Sequence, residues 1–141
     1  MYRELLVAID LTAGSEAIAR RSLALAAGWG AQVRLLHVVG FMPVEPMGDS
    51  LVPITQIDDR VVEEARRELA VLAGRLGVPA ERATVVVGGV KAEILRAARE
   101  LRSDLIVLGA RERHGLSIML NHTEDTVLHG APCDVLALRV H

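Results

Sequence analysis

One stretch near the start of this 141-residue chain sets its fold class, Leu5-Leu6-Val7-Ala8-Ile9-Asp10. Five apolar residues in a row, ended by a carboxylate, are typical of a short strand buried on both faces, as strands of parallel sheets are. Similar runs recur at 32–39, 83–87, 105–108 and 134–140. Stretches with helical spacing of apolar residues lie between them, at 15–29, 56–76, 92–101 and 123–129. This alternation predicts an α/β fold of parallel strands joined by helices.

Right-handed crossovers limit how these strands can be arranged. We expect a doubly wound, five-stranded parallel sheet in the order 3-2-1-4-5, with helices on both faces and a single domain over residues 1–141. Strands one and four then lie side by side where the winding reverses, and ligands of such sheets bind there, outside the carboxyl ends of the strands. Asp10 and a turn expected to begin at Gly109 both fall at this point, so the sequence predicts a ligand crevice between them.

The connecting segments carry signals of their own. Ser15 is a candidate N-cap for the first helix, and Gly30 marks its end. The second helix has one apolar stripe and a charged, solvated opposite face. The stripe consists of Ile57, Val61, Ala65, Leu69, Leu72 and Leu76. Residues 40–55 hold three of the five prolines and predict a long loop, either a partner surface or a lid. Gly130 is expected to stop the fourth helix, together with Ala131 and Pro132.

Composition excludes several classes of protein. The formal charge of −2 and an aromatic content of 2% argue against nucleic-acid binding, which relies on basic surface and stacking rings. The N-terminus turns charged before a long apolar run develops, so we expect no signal peptide and no membrane span. The single cysteine, Cys133, forms no internal disulfide and is expected to pack as a small apolar side chain. These features predict a cytoplasmic protein.

The last strand is expected to lie at an edge of the sheet. Its residues Val135-Leu136-Ala137-Leu138 are apolar, and an open apolar edge tends to aggregate unless something covers it. Pairing with the same strand of a second copy would close the edge around a two-fold axis. We therefore predict a homodimer through Val135–Val140.

Four phrases of the sequence resemble the universal stress proteins, and their order and spacing span essentially the whole chain. They are the first strand ending at Asp10, Leu36-His37-Val38, the strand at 104–109, and the tail His-Gly-Ala-Pro-Cys-Asp-Val-Leu at 129–136. The resemblance implies a protein induced by stress or growth arrest that dimerises through its last strand. It also implies nucleoside contacts at Asp10 and Val38. One branch of the family binds ATP and the other lacks the ATP motif.

The ATP-binding branch carries the motif Gly-x2-Gly-x9-Gly-Ser/Thr after the fourth strand. At that spacing this chain has Gly109, Glu112, His122 and Thr123, so two of the four positions match. Glycines allow backbone amides to approach the phosphates closely. Glu112 adds a negative charge beside a polyanion, and His122 adds bulk where a phosphate should pass. The resemblance therefore places Gly109 and Thr123 in a degenerate site.

Nearby positive charge acts in the opposite direction. Arg111, Arg113 and His114 could attract phosphates, as could the helix N-terminus near Thr123. Side chains replace close backbone contacts poorly, so we predict no cofactor and no enzyme activity. The predicted function is that of a stress-response homodimer with a degenerate nucleotide crevice and unknown protein partners. The alternative is an ATP-binding switch protein with weak or slow hydrolysis.

Each candidate residue also has a purely structural interpretation. Asp10 would cap the loop into the first helix, and Thr123 would be an ordinary helix N-cap. His114 and His122 lack partners at metal-ligand spacing, so we expect no metal. A phosphoacceptor receiver domain would need a carboxylate at the end of strand three, where Val87-Gly88-Gly89 stands instead.

Overall fold

The computed structural model describes residues 1–40, 58–111, 127 and 129–140. Its strands are β1 (Glu4–Ala8), β2 (Gln32–Gly40), β3 (Ala83–Gly88), β4 (Leu105–Arg111) and β5 (Asp134–Val140). Its helices are α1 (Ser15–Trp29), α2 (Asp59–Leu76) and α3 (Val90–Glu100), and residues 127, 129 and 130 are helical too. Apart from Gly40, which ends β2, the predicted loop at 40–55 lies outside the described residues. So does the predicted start of the second helix at 56 and 57.

The strand order β3-β2-β1-β4-β5 confirms the predicted doubly wound sheet. All four neighbouring pairs are parallel. In the centre of the sheet Val7 is level with Leu35 of β2 on one side and with Val107 of β4 on the other. The winding therefore reverses between β1 and β4, as the sequence predicts.

A separate apolar core lies on each face of the sheet. Leu5, Val7 and Leu35 of the strands pack with residues of α1 and α2. On the other face Leu6 and Ile106 pack with Ile94 of α3 and with Val127. Alternate residues of one strand thus enter different cores, which is why the strands read as continuous apolar runs. Helices on both faces are confirmed.

The ends of the helices follow known capping chemistry, with one correction. Gly30 and Gly77 end α1 and α2 in the left-handed conformation, with φ of 67° and 72°. The Asp58 carboxylate caps α2 by accepting from the Arg60 amide at 2.9 Å. The prediction of Ser15 as N-cap of α1 is wrong by one residue, because Gly14 occupies that position and Ser15 begins the helix. The Ser15 hydroxyl is engaged in the preceding loop instead.

Three further details differ from the sequence prediction. Val61 has the spacing of the apolar stripe of α2 but is 53% exposed, whereas Ala65, Leu69 and Leu72 are buried. β4 does not end at Gly109 but continues to Arg111, because β5 pairs with it over this length. The fourth helix ends one residue later than predicted, because Gly130 is its last helical residue and Ala131 and Pro132 follow outside it. A side chain at Gly130 would have its Cβ 2.8 Å from Leu95 Cδ1, so the glycine permits close packing on α3.

Candidate functional site

Three of the four predicted site residues lie at one edge of the sheet. Ala8 is the register partner of Leu36, and the Ile9 amide donates to the Leu36 carbonyl at 2.8 Å. Continuing that register by two residues brings Asp10 level with Val38. Gly109 stands two residues beyond Val107 on β4, at the same carboxyl edge. Asp10, Val38 and Gly109 therefore line the point where the winding reverses, where a ligand crevice is expected.

The Asp10 carboxylate organises the loop that joins β1 to α1. Its Oδ1 accepts from the Thr12 amide at 3.0 Å, from the Thr12 hydroxyl at 2.6 Å and from the Ser15 hydroxyl at 2.8 Å. The Thr12 amide also reaches the Ser15 oxygen at 3.0 Å. This is the structural interpretation of Asp10, a carboxylate that caps the turn into α1. One oxygen of Asp10 is thereby committed to its own chain.

The turn after Asp10 stores backbone strain. Leu11 has φ of 58°, in the left-handed region that side chains other than glycine rarely adopt. Such a conformation costs roughly 1–2 kcal/mol for a residue with a Cβ. Leu11 is half-buried and packs against the core on the α1 face, which accounts for a leucine there. Its conformation brings the Thr12 amide back toward Asp10.

His37 is a residue at this edge that the sequence did not single out as a site residue. Its Nδ1 lies 2.6 Å from the Ile9 carbonyl oxygen. Because a carbonyl oxygen can only accept, Nδ1 must carry the hydrogen, and Nε2 of the neutral ring is then an acceptor. This bond ties the end of β1 to β2, one residue before Asp10. The sequence signal was a polar residue inside an apolar strand, but the partner is 28 positions away.

The other three predicted site residues, Val38, Gly109 and Thr123, lie in different surroundings. Val38 is half-buried and packs against the core on the α3 face. Gly109 lies inside β4 with Leu138 as its register partner, so the expected turn at this residue is wrong. Thr123, with Glu112 and His122, lies outside the described residues.

A groove of about 430 Å³ runs between the β1–α1 loop and α2. Thr12 and Ala13 form one wall, and Val71 and Leu72 form the other. Glu16 closes one end, where its carboxylate accepts from Arg20 at 2.7 Å and from Arg75 at 3.1 Å. The groove thus borders the loop that Asp10 organises, on the α1 and α2 side of the sheet.

Cys133 directly precedes β5 and packs against the core on the α3 face. Burial raises the pKa of its thiol, and the charges of Asp134 and Asp104 raise it further. A thiol with a raised pKa stays protonated and is a poor nucleophile. Its packing agrees with the predicted role as a small apolar side chain.

The described residues lack a metal-binding cluster and a membrane-spanning helix. No group of three or more His, Cys, Asp or Glu side chains there could hold a metal ion. Within the same residues, no helix is both long and apolar enough to cross a membrane.

Comparison with known proteins agrees with this architecture. A solved structure of the hypothetical protein MJ0577 superimposes with a TM-score of 0.75 at 20% identity, covering 100% of this chain and 98% of that chain. A universal stress protein solved in complex with cAMP gives a TM-score of 0.67 at 19% identity, with 99% of both chains covered. At these identities the likeness shows the fold.

Sequence comparison goes further than the fold. Universal stress protein A homolog 1 of Coxiella burnetii is 36% identical over 138 residues, which cover 97% of this chain and 96% of the relative. Homolog 2 of the same organism is 33% identical over 140 residues, covering 99% and 96%. The model of the universal stress protein family matches residues 1–139. With nearly its whole length matched both by that model and by these relatives, the chain belongs to the universal stress protein family.

Proposed function

We propose that this protein is a non-enzymatic stress-response homodimer of the cytoplasm, with a crevice poorly suited to ATP. The observation that carries the proposal is the state of Asp10, whose Oδ1 accepts from two hydroxyls and one amide of its own loop. A carboxylate oxygen that accepts three hydrogen bonds from its own loop stabilises the loop and has little capacity left for a ligand. The chain then acts through protein partners.

The sequence of the motif region supports the same proposal. Glu112 and His122 stand where ATP-binding members of the family have glycines. A carboxylate beside a triphosphate is repulsive, and a side chain at either position keeps backbone amides away from the phosphate oxygens. These two changes and the engaged Asp10 oxygen all weaken the site for the same ligand.

Calorimetric titration of the nucleotide-stripped protein with magnesium and ATP tests this proposal. We expect no heat and no shift in melting temperature at millimolar ATP, because a ligand bound to the native state would raise its stability. Asp10→Asn is the matched control. The amide oxygen of the new asparagine still accepts from Thr12 and Ser15, so the loop is kept while the negative charge at position 10 is lost. Micromolar binding by the native protein would contradict the proposal.

The second candidate function is a nucleotide-binding switch protein. Two observations favour it: the carboxyl edge of β1, β2 and β4 has the position of a nucleotide crevice, and one structural neighbour was solved with cAMP. The double variant Glu112→Gly/His122→Gly separates the two candidates. If the glycines are what the site lacks, the native protein shows no ATP binding at millimolar ATP and the double variant shows measurable binding. If the native chain already binds through other contacts, the change is small.

The homodimer is proposed to form through Val135–Val140. β5 is an edge strand of the described sheet, and Leu136 and Val135 are only half-buried there. An apolar edge of this kind is stabilised by pairing with a second copy. Sedimentation equilibrium checks the mass, and a monomer at micromolar concentration would contradict the proposal.

A further inference from the structure

The peptide groups of β5 divide into a set that faces β4 and a set that faces away from the sheet. In a parallel pair, a residue that points its N–H and C=O at the neighbouring strand has a register partner that points its own groups away. The Gln32 amide donates to the Arg3 carbonyl at 2.9 Å, and the Ile9 amide donates to the Leu36 carbonyl at 2.8 Å. Odd-numbered residues of β1 therefore face β2, and even-numbered ones face β4.

This alternation can be followed across the sheet to its edge. Leu6 faces β4, so its register partner Ile106 faces β5. Ile106 in turn has Val135 as its partner, so the peptide groups of Val135 point away from β4. By the same alternation, those of Ala137 and Arg139 also lie on the outer edge.

One position on this edge is already occupied from within the chain. Arg21 of α1 donates from Nη1 to the Arg139 carbonyl at 3.1 Å. A neighbouring strand would run about 4.8 Å from β5, so the guanidinium takes the space that a partner strand needs beside Arg139. Within the part of the chain that the structure describes, no backbone hydrogen bond from outside the sheet reaches Val135 or Ala137, so their outer groups can pair with a second copy.

We propose that Arg21 sets the register of the homodimer, with Leu136 of the two protomers facing each other on the two-fold axis. This inference rests on the homodimer proposed above. In this antiparallel register Val135 lies opposite the partner's Ala137, and each such pair exchanges two hydrogen bonds. Leu136 then packs on its own copy across the axis, which extends the core on the α1 face.

Neighbouring registers leave more of the outer peptide groups of β5 without a hydrogen-bonded partner. An axis at Ala137 would place Val135 opposite the partner's Arg139, whose carbonyl Arg21 occupies. An axis at Val135 would place Ala137 opposite the partner's Cys133, which precedes the start of β5 at Asp134. The axis at Leu136 gives two complete hydrogen-bonded pairs within β5, and the residue it places opposite Arg139 is the partner's Cys133, which precedes the partner's β5 and needs no ladder bond to the carbonyl that Arg21 occupies.

Single-cysteine crosslinking distinguishes these registers. In a Cys133→Ser background, we expect Leu136→Cys to form an intersubunit disulfide on mild oxidation, because facing residues of a non-hydrogen-bonded pair have Cα atoms about 4.5 Å apart. Ala137→Cys should crosslink at least tenfold less, because its copy then lies about 7–8 Å away. Adding Arg21→Ala should raise the Ala137→Cys crosslink severalfold, since the other register becomes available.

Each other outcome has a definite meaning. Preferential crosslinking of Ala137→Cys with Arg21 intact would overturn the register and leave the dimer standing, as would an Arg21→Ala substitution without effect. A monomer in sedimentation would overturn the homodimer itself. Should Leu136→Cys fail to fold, mixing Val135→Cys chains with Ala137→Cys chains tests the same register, and absence of their mixed disulfide in a dimer would overturn it.

Discussion

Proline at position 137 tests the exposed edge of β5 without touching its inner side. The Ala137 amide points away from β4, and proline is tolerated on edge strands where the missing N–H would face outward. In the proposed dimer this amide donates to the partner's Val135 carbonyl, so Ala137→Pro removes two hydrogen bonds per dimer. At a net value of about 0.5–1.5 kcal/mol each, the loss is about 1–3 kcal/mol. This corresponds to a dissociation constant raised about 5- to 150-fold.

Sedimentation equilibrium measures that constant, and thermal unfolding followed by circular dichroism shows whether the monomer still folds. Ala137→Val is the matched control, because it keeps the amide and favours a strand. Leu136→Pro is the opposite control: its amide faces β4, so the substitution removes an internal ladder bond and should unfold the chain. An Ala137→Pro protein that stays folded and dimerises as tightly as the native one would refute the role of this amide in the interface, and one that unfolds as Leu136→Pro does would refute its outward direction.

Three further predictions concern stability, each measured by chemical denaturation. Arg102 has φ of 51° after α3, and Gly77 has a positive φ at the equivalent place after α2. Arg102→Gly should therefore stabilise the protein by about 1 kcal/mol, and Gly77→Ala should destabilise it by a similar amount. If both variants were as stable as the native protein, this would be contradicted. The Ser103 hydroxyl is buried without a hydrogen-bond partner among the described residues, so Ser103→Ala should stabilise by about 1 kcal/mol. The Ser22 hydroxyl donates to the Ile18 carbonyl, so the control Ser22→Ala should gain nothing. Asp10→Ala should destabilise by about 1 kcal/mol more than Asp10→Asn, because only the asparagine retains an acceptor for the loop; equal losses would mean that charge, not hydrogen bonding, holds the turn.

The strand order was predictable because each buried strand leaves a continuous apolar run and each helix leaves a period of 3.6 residues. The ends of elements were harder to predict. Gly109 reads as a turn residue, yet β4 passes through it, because pairing with Leu138 of a distant strand fixes its backbone. Val61 has the right spacing for the core of α2 but lies near the start of the helix, where it is exposed. For Gly109 a tertiary contact overrides the local signal, and for Val61 the place of the residue within the helix does.

In the candidate site, too, some features could be predicted from the sequence and others depend on contacts between distant residues. Asp10 was found from the sequence, because a carboxylate directly after a buried strand falls at the carboxyl edge of the sheet. The bond from the Ser15 hydroxyl to Asp10 could not be predicted, since the sequence pattern at Ser15 indicates a helix N-cap. The bond from His37 to the Ile9 carbonyl depends on the register of β1 and β2, which the sequence does not specify. The outward direction of Ala137 depends on three successive registers and is further still from the sequence.

The proposed dimer has a consequence for the two crevices. The expected crevice beside β1 would include Gly109 of β4, whose other edge carries β5, so one strand would separate this crevice from the proposed two-fold axis. Because β5 would pair antiparallel with its copy, the carboxyl ends of the two sheets point in opposite directions. The two Asp10 loops then lie at opposite ends of one continuous sheet, and a single small ligand cannot contact both. Any partner that recognises the carboxyl edge of a protomer would bind each half independently, so a dimer would present two separate, equivalent sites rather than one shared site.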